Sequence, residues 1–445
     1  MLYLGLPDMK TFTPHADLQQ FYAACGQTDG LFYMGHASVL CCFGGKKILF
    51  DPVVLSKPYG DSWAFFPPQV ADPSVFEVDA VVVSHIHQDH YDLQYIQALG
   101  GRAKTIVVGG RPSLLKDLRD HQVRNLQVVE PEQVTEILPG VFMYGVIHES
   151  NGIDSSAIVF NERFCIYHGN DNYLQPDSLK KFAAVGRRID VACIPYAYIH
   201  WYPFLMDCEA GQADEMAAEG ERLVKLYMDD CLSAIRILQP KVMIPFGANL
   251  LLNHGGAYSP INLSVKTPIE FCEYAARQAP DLAQVVKPML AGDYCGLTDG
   301  VLSTTISNQY DGAGYREAAN NFLMDASAAN PDPEIPAVDL SGFLAGLNDK
   351  LGQIAEAQEH IIRIEAPHPA GVLKLEIDCQ ARHAKWVDAF TEGVPYHHFK
   401  LDAIASANWL SGKRFEEIIG MRRFTLKRVP NVYSKSILRL TSTAF

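Results

Sequence analysis

The chain has 445 residues, 48% hydrophobic and 20% charged, the proportions of a globular protein with room for a large core and more than one domain. Its net charge of −14, with no basic block, argues against nucleic acid as a partner, because phosphate binding needs clustered Lys and Arg. No apolar run reaches membrane-spanning length, Met1–Leu18 lacks a basic n-region and a cleavage site, and the ten cysteines, none in C-x-x-C spacing, read as reduced, mostly buried thiols; a cytoplasmic protein without membrane contact is expected.

In chain order, residues 1–30 read as a lead-in with one short helix over 16–24. Residues 31–52 read as strands joined through Gly44-Gly45 and closed by Asp51-Pro52. Residues 53–77 hold Tyr59, Trp63, Phe65, Phe66 and several prolines, an irregular loop that either covers a site or packs its rings on the domain. The run Val78–Val83 is short, continuous and Val-rich, the pattern of a strand buried on both faces. It ends at Ser84 and is followed by His85, His87, Asp89 and His90. Side chains at the C-terminal ends of strands build the sites of α/β folds. In an extended turn positions two apart point the same way, so His85 and His87 can share one metal ion. Asp89 and His90 lie just beyond, where the chain turns into a helix (DLQYIQAL), and can face a second ion beside the first. Three imidazoles and a carboxylate within six residues are far denser than a polar loop needs.

Strands and helices then alternate. A strand over 141–147 ends at His148, with Glu149 next to it. A hairpin over 156–167 ends in His168-Gly169-Asn170-Asp171. A strand over 191–195 leads into an aromatic stretch, Tyr196–Phe204, which reads as a pocket wall or as core. A long amphipathic helix spans 213–238, and a strand ending at Pro245 is followed by Phe246-Gly247, with His254 eight residues beyond Phe246. Residues 325–336 are Ala, Asn, Asp and Pro, a linker composition. Beyond them a helix over 343–360, a strand over 371–378 and a mixed stretch around Trp409 and Phe415 form a small α+β region. The pair His397-His398 reads as solvated.

Ser84-His85-x-His87-x-Asp89-His90, with the earlier Tyr33–Leu40 and Ile48–Pro52 segments, resembles the metallo-β-lactamase superfamily over about residues 30–260. The resemblance implies an αββα sandwich of two mixed β-sheets around a dinuclear centre. The implied organisation is a lead-in 1–30, a metal domain 31–300, a linker 301–337 and an α+β accessory domain 338–445. One ion is expected on His85, His87 and His148, the other on Asp89, His90 and His254, with Asp171 bridging. Asp51 is expected to hydrogen-bond a metal-bound histidine, and His36 is either a core or a site residue. Glu149 is a reserve ligand, since some oxygen-using members place a carboxylate near it. The family reads Gly-Asp where this chain has Gly169-Asn170-Asp171, so His168 stands as a substitute for Asp171. Phe246 occupies the slot in which most hydrolases of the superfamily carry their last histidine. Pro245-Phe246-Gly247…His254 is instead similar to CMP-N-acetylneuraminate hydroxylase, as are the helix before it and Arg428-Val-Pro-Asn-Val-Tyr. That family also carries a Rieske domain, whose paired C-x-H and C-x-x-H motifs are both expected to be absent here. The donors are all nitrogen and oxygen, which suits Fe, Zn or Mn. The expectation is a di-iron, O₂-dependent hydroxylase of a small molecule that draws electrons from an external reductase or from the substrate itself. The alternative is a zinc hydrolase in which two ions activate water, with Asp89 orienting it or taking a proton.

Overall fold

The computed structural model describes residues 12–432 apart from 111, 148–153, 173–174, 209, 255–256, 259, 330–333, 336–337 and 353–359. The layers follow from strand alternation. In the strand Ala80–Val83, Ala80 and Val82 enter a core shared by two sheets, while Val81 and Val83 enter a core beneath helices. Both faces of the strand are therefore apolar, which is why its sequence runs without polar interruption.

The first sheet has the order Val301–Thr305, Tyr294–Thr298, Asp29–Gly35, Ser38–Phe43, Lys46–Phe50, Ala80–Val83, Lys104–Val108, Leu126–Val129. It is antiparallel as far as Lys46–Phe50 and parallel beyond. The second has the order Val242–Phe246, Val191–Pro195, Cys165–His168, Ser155–Phe160, Val141–Ile147, Thr135–Leu138 and is also mixed. Phe50, Val82 and Ile106 of the first meet Val159, Ile166 and Ile244 of the second in one core. Helices Ala16–Cys25, Leu93–Leu99 and Pro112–Asp120 cover the outer face of the first sheet. Pro176–Ala184, Ala213–Leu238 and Pro268–Gln278 cover the second. This is the expected αββα sandwich. In Ala213–Leu238 the buried Val224, Met228, Cys231, Leu232, Ile235 and Leu238 recur every three or four residues, forming a single apolar stripe. No helix among the described residues is long and apolar enough to cross a membrane.

Two smaller sheets shape the site. Trp63–Phe65, from the aromatic loop, pairs with Leu250–His254, which pairs with Ala257–Tyr258. A five-stranded sheet has the order His383–Trp386, Gly371–Asp378, Ile361–His368, Tyr396–Leu401, Phe424–Val429. Its last strand is tied to the second sheet's side of the molecule: Leu426 N donates to Leu205 O (2.8 Å) and Asp207 N donates to Leu426 O (2.9 Å). The apolar core beneath it runs on without a break into that of the helices over the second sheet.

One expectation is corrected here. Residues 301–337 do not form a linker: they contain the strand Val301–Thr305 and the helix Gly312–Ala329. Tyr315, Ala319 and Leu323, spaced by four, are buried against Phe66, Leu251 and Ile269, and the Tyr315 hydroxyl donates to Phe66 O (2.6 Å). Ala318 and Phe322 pack beside them, so the helix carries an ordinary apolar stripe inside an Ala- and Asn-rich composition. The helix expected over 343–360 spans Leu340–Gly352, and residues 353–359 lie outside the described residues.

Candidate metal centre

Asp51 ends the strand Lys46–Phe50 and organises the neighbouring strand end. Its Oδ1 accepts from Ser84 N (2.8 Å), and its Oδ2 accepts from Ser84 Oγ (2.6 Å) and lies 2.9 Å from His90 Nδ1. The loop that carries the histidines is fixed at its far end by Asp92. Asp92 Oδ1 caps the next helix through Tyr95 N (2.9 Å), and Oδ2 accepts from the amides of Val54, Leu55 and Ser56 (2.8, 2.5 and 2.9 Å). One carboxylate thus holds both the histidine loop and the start of the aromatic loop.

Between these anchors three groups of donors converge, each with its ligand atoms within 4.8 Å of one another: His85, His87 and Asp154; His85, His90 and Asp171; His36, Asp89 and His90. His85 Nε2 is 2.7 Å from His87 Nδ1 and 3.4 Å from Asp154 Oδ1. His90 Nε2 is 3.4 Å from Asp89 Oδ2 and 3.2 Å from Asp171 Oδ2, yet has no hydrogen bond of acceptable geometry with any described residue. A buried ring nitrogen that faces two carboxylate oxygens without a hydrogen bond to either is what a cation site looks like, so the residues fit the metal ions that the fold implies. The electrostatics agree. Burial alone would lower the pKa of His90, but the Asp171 and Asp89 carboxylates override it and hold it well above its usual range. Burial would raise the Asp89 carboxyl, but His90 and His36 hold it well below. The cluster stabilises positive charge at its centre.

The sequence-predicted residues divide as follows. His85, His87, Asp89, His90 and Asp171 come together, with Asp51 behind His90 and His36 Nε2 at 3.1 Å from Asp89 Oδ2. His168, the proposed substitute for Asp171, does not join them. Its Nε2 lies 3.1 Å from Ala37 O, and its ring packs on Phe50 and Phe246. Burial lowers its pKa, so it is a neutral core histidine. Cys165 and His168 do stand in C-x-x-H spacing, but on one buried core strand. His148 and Glu149 lie outside the described residues, as does the side chain of His254; the backbone of His254 ends the strand Leu250–His254.

Two site residues were not read from the sequence. Asp154 stands at the head of the strand Ser155–Phe160, and its only signal was a lone acid before a buried run. Asn170, the extra residue between Gly169 and Asp171, is buried in the left-handed region (φ 56°), where asparagine is among the best tolerated residues. Its Nδ2 donates to Ser155 O (3.2 Å) and lies 3.3 Å from His85 Nδ1. The insertion therefore orients His85 while Asp171 still reaches His90. Of the eleven non-glycine residues with positive φ among those described, His36, Asp51, Tyr59, Asn170 and Arg422 surround this centre. Strained backbone is concentrated where side chains must be aimed.

Gly169 is required by close approach rather than by φ. A Cβ there would meet Cys193 O and Pro195 Cδ at 2.9 Å. Gly169→Ala is expected to displace the Asn170-Asp171 loop, costing about 1–3 kcal/mol of stability and weakening metal retention. Thermal denaturation with elemental analysis checks this; an unchanged melting temperature together with unchanged metal content would count against it.

A cavity of ≈ 410 Å³ opens beside the centre. His36, His87, Asp89 and Asp171 form its floor, Tyr59, Trp63, Tyr198 and Tyr227 its aromatic walls, and residues 414–422 its far side. The C-terminal wall is bonded to the loops of the sandwich: Gln88 Nε2 donates to Glu417 Oε2 (3.0 Å), and Trp63 Nε1 to Gly420 O (2.9 Å).

Residues 30–246 match the family described as Beta-lactamase superfamily domain. Over 199 residues the chain is 26% identical to a Mycobacterium tuberculosis protein named for a Rieske 2Fe-2S iron–sulfur protein, covering 42% of this chain and 38% of that one. Over 158 residues it is 26% identical to a metal-dependent hydrolase of Saccharolobus solfataricus, covering 33% of this chain and 63% of the relative. The chain thus spans well under half the length of the mycobacterial relative. Similar solved structures include a metallo hydrolase of Ignicoccus hospitalis (TM-score 0.39, 19% identity, 63% of this chain and 99% of that one). Another is CmlA, a diiron β-hydroxylase of Streptomyces venezuelae (TM-score 0.42, 14% identity, 63% and 55%).

Proposed function

We propose that the chain is a dinuclear metalloenzyme acting on a small molecule, and that its working metal is iron in an O₂-dependent hydroxylation. The observation that carries this reading is the composition of the three donor groups, each of two histidines and one aspartate. Two imidazoles and one carboxylate with open positions form the set typical of non-haem iron oxygenases. Bound there, iron would supply redox chemistry as well as Lewis acidity. The similarity of part of the chain to a Rieske-named protein supports an oxidative role. Inserting one atom of O₂ into a C–H bond, with the other leaving as water, takes two electrons and two protons. The electrons would come from a reductase.

The chain's own residues have definable parts. His36 holds Asp89 through Oδ2, and the Tyr59 hydroxyl donates to Asp89 Oδ1 (3.4 Å). Burial, reinforced by Asp89, raises the Tyr59 pKa well above its usual value, so the phenol stays protonated and keeps donating. Tyr59, Trp63 and Tyr198 exclude water and orient the apolar body of a substrate over Asp89 and Asp171.

The second reading is zinc-dependent hydrolysis, favoured by the similarity to the Saccharolobus hydrolase and by the use of two histidines and a carboxylate in zinc peptidases. The test is to strip the protein with chelator, reload it with Fe(II) or Zn, and assay candidate substrates with and without air and reductant. Turnover by the iron form alone, needing both O₂ and reductant, is expected. Full turnover by the zinc form under argon would overturn the hydroxylase reading in favour of hydrolysis.

A further inference from the structure

The far wall of the cavity carries two adjacent arginines with opposite surroundings. Arg423 is buried and fully engaged. Its Nε donates to Ser62 Oγ (3.0 Å), its Nη1 to Asp402 Oδ2 (2.6 Å) and its Nη2 to Asn253 O. These bonds fix the turn between the helix Phe415–Gly420 and the strand Phe424–Val429 against the loops of the sandwich. Arg422, one residue earlier, lines the cavity. Its Nη1 donates to Ile419 O (3.2 Å), while its Nε is shielded from solvent and has no hydrogen-bond partner among the described residues. No described carboxylate lies within ion-pair distance of it. Its backbone is left-handed (φ 57°), an uncommon conformation for a long side chain, held by the engaged neighbour.

The other charges of the cavity do not satisfy it. Asp89 acts on Arg422 electrostatically but is already committed to His36 and His90. Asp230 lines the cavity without pairing with Arg422. Arg414, the other arginine on the wall, is occupied by Glu417 (3.3 Å) and Glu416 (3.7 Å). His200 is neutral, its pKa lowered to about 3 by burial and then by Arg422 and Arg428. The cavity therefore presents a guanidinium without an ion-pair partner among the described residues, together with the donor cluster. A guanidinium is costly to shield from water without an acceptor, and its planar fork fits an oxyanion through paired hydrogen bonds.

We propose that Arg422 binds an oxyanion of the substrate, a carboxylate or phosphoryl group, and thereby directs the substrate's other end toward Asp89 and Asp171. This rests on the cavity being the substrate site of the metalloenzyme read above. Arg422 is a specificity-determining residue, and the substrate class is an anionic small molecule with an apolar body that suits the aromatic walls.

The test titrates propionate and methyl phosphate, in separate arms, into the protein as purified with its metal, with binding followed by ligand NMR. Neutral propionamide is the control. R422Q is expected to raise Kd about tenfold or more for at least one anion. R422K, which keeps the charge but loses the fork, is expected to fall between R422Q and the wild type. The arm with the tighter wild-type binding and the larger loss identifies the group as carboxylate or phosphoryl. Metal content and melting temperature are expected to stay at wild-type values. Should R422Q not fold, R422K is read in its place against the same wild type. Equal affinity in wild type and variant for both anions, including no measurable binding to either protein, overturns the proposal. Absence of metal from the purified wild type would defeat the metalloenzyme reading instead, and the dependence of anion binding on Arg422 is scored separately from it.

Discussion

A His85→Ala chain is expected to lose metal from the two donor groups that His85 joins, whereas a control His121→Ala keeps it. His85 belongs to two of the three donor groups, so its removal takes a nitrogen from each at once. It is fully buried, and its ring is set from both sides: Nε2 faces His87 Nδ1 (2.7 Å) and Asp154 Oδ1 (3.4 Å), while Nδ1 lies 3.1 Å from Ser84 Oγ and 3.3 Å from Asn170 Nδ2. Ser84 Oγ is committed to Asp51 Oδ2 and Asn170 Nδ2 to Ser155 O, so neither of them is free to replace it. His121 is exposed at the end of its helix and bonded to Asp117 O, so its loss leaves the centre intact. The stability cost of the deletion itself is about 1–3 kcal/mol, the ordinary range for a buried truncation. The loss of metal-linked stabilisation adds to it. Elemental analysis after gel filtration, with thermal melts with and without added metal, is the measurement. Wild-type metal content in His85→Ala would remove His85 from the centre.

The parts of the site legible in the sequence were those whose geometry is local. His85, His87, Asp89 and His90 follow one strand end, and their convergence needs only the two-residue period of an extended chain and a turn. Asp171 and His36 could be placed only through family resemblance, since their positions depend on how two sheets meet. Asp154 and Asn170 were missed for the same reason: each acts on His85 across a sheet-to-sheet distance that no spacing encodes. His168 misled because a histidine beside a Gly-Asp turn resembles a ligand, while alternation along Cys165–His168 points its ring at Phe50 and Phe246. The strands were readable from runs of apolar residues of strand length, and the sandwich they build from the family resemblance. The helix Gly312–Ala329 was not, because its Ala- and Asn-rich composition outweighed three apolar residues spaced by four. Arg422 carried no signal at all, as its meaning comes from the contrast with Arg423 and from a cavity formed by segments more than three hundred residues apart, such as Gln88 and Glu417.

Asp51→Asn separates charge from shape at the residue behind His90. Asparagine tolerates the left-handed backbone (φ 40°) as well as aspartate does, so the substitution keeps the turn. Chemically it converts one acceptor oxygen into a donor. The native carboxylate serves three contacts, Ser84 N and Ser84 Oγ as donors to it and His90 Nδ1 at 2.9 Å. An amide cannot accept all three, so at least one buried donor is left without a partner, at a cost of about 1–3 kcal/mol. If the amide nitrogen faces His90, the ring loses the acceptor that fixes its tautomer and directs Nε2 toward Asp171 and Asp89. Losses of this kind typically weaken metal binding about 10–100-fold. Asp51→Ala is expected to do more harm, since it removes all three contacts and forces alanine into a conformation that costs about 1–3 kcal/mol. Competition with a chelator of known affinity measures the effect: Asp51→Asn is expected to give up metal at chelator concentrations about 10–100-fold lower than the wild type. Wild-type affinity in Asp51→Asn, beside a metal-free His85→Ala, would mean that Asp51 only shapes the turn and that the orientation of His90 rests on Asp89 and Asp171.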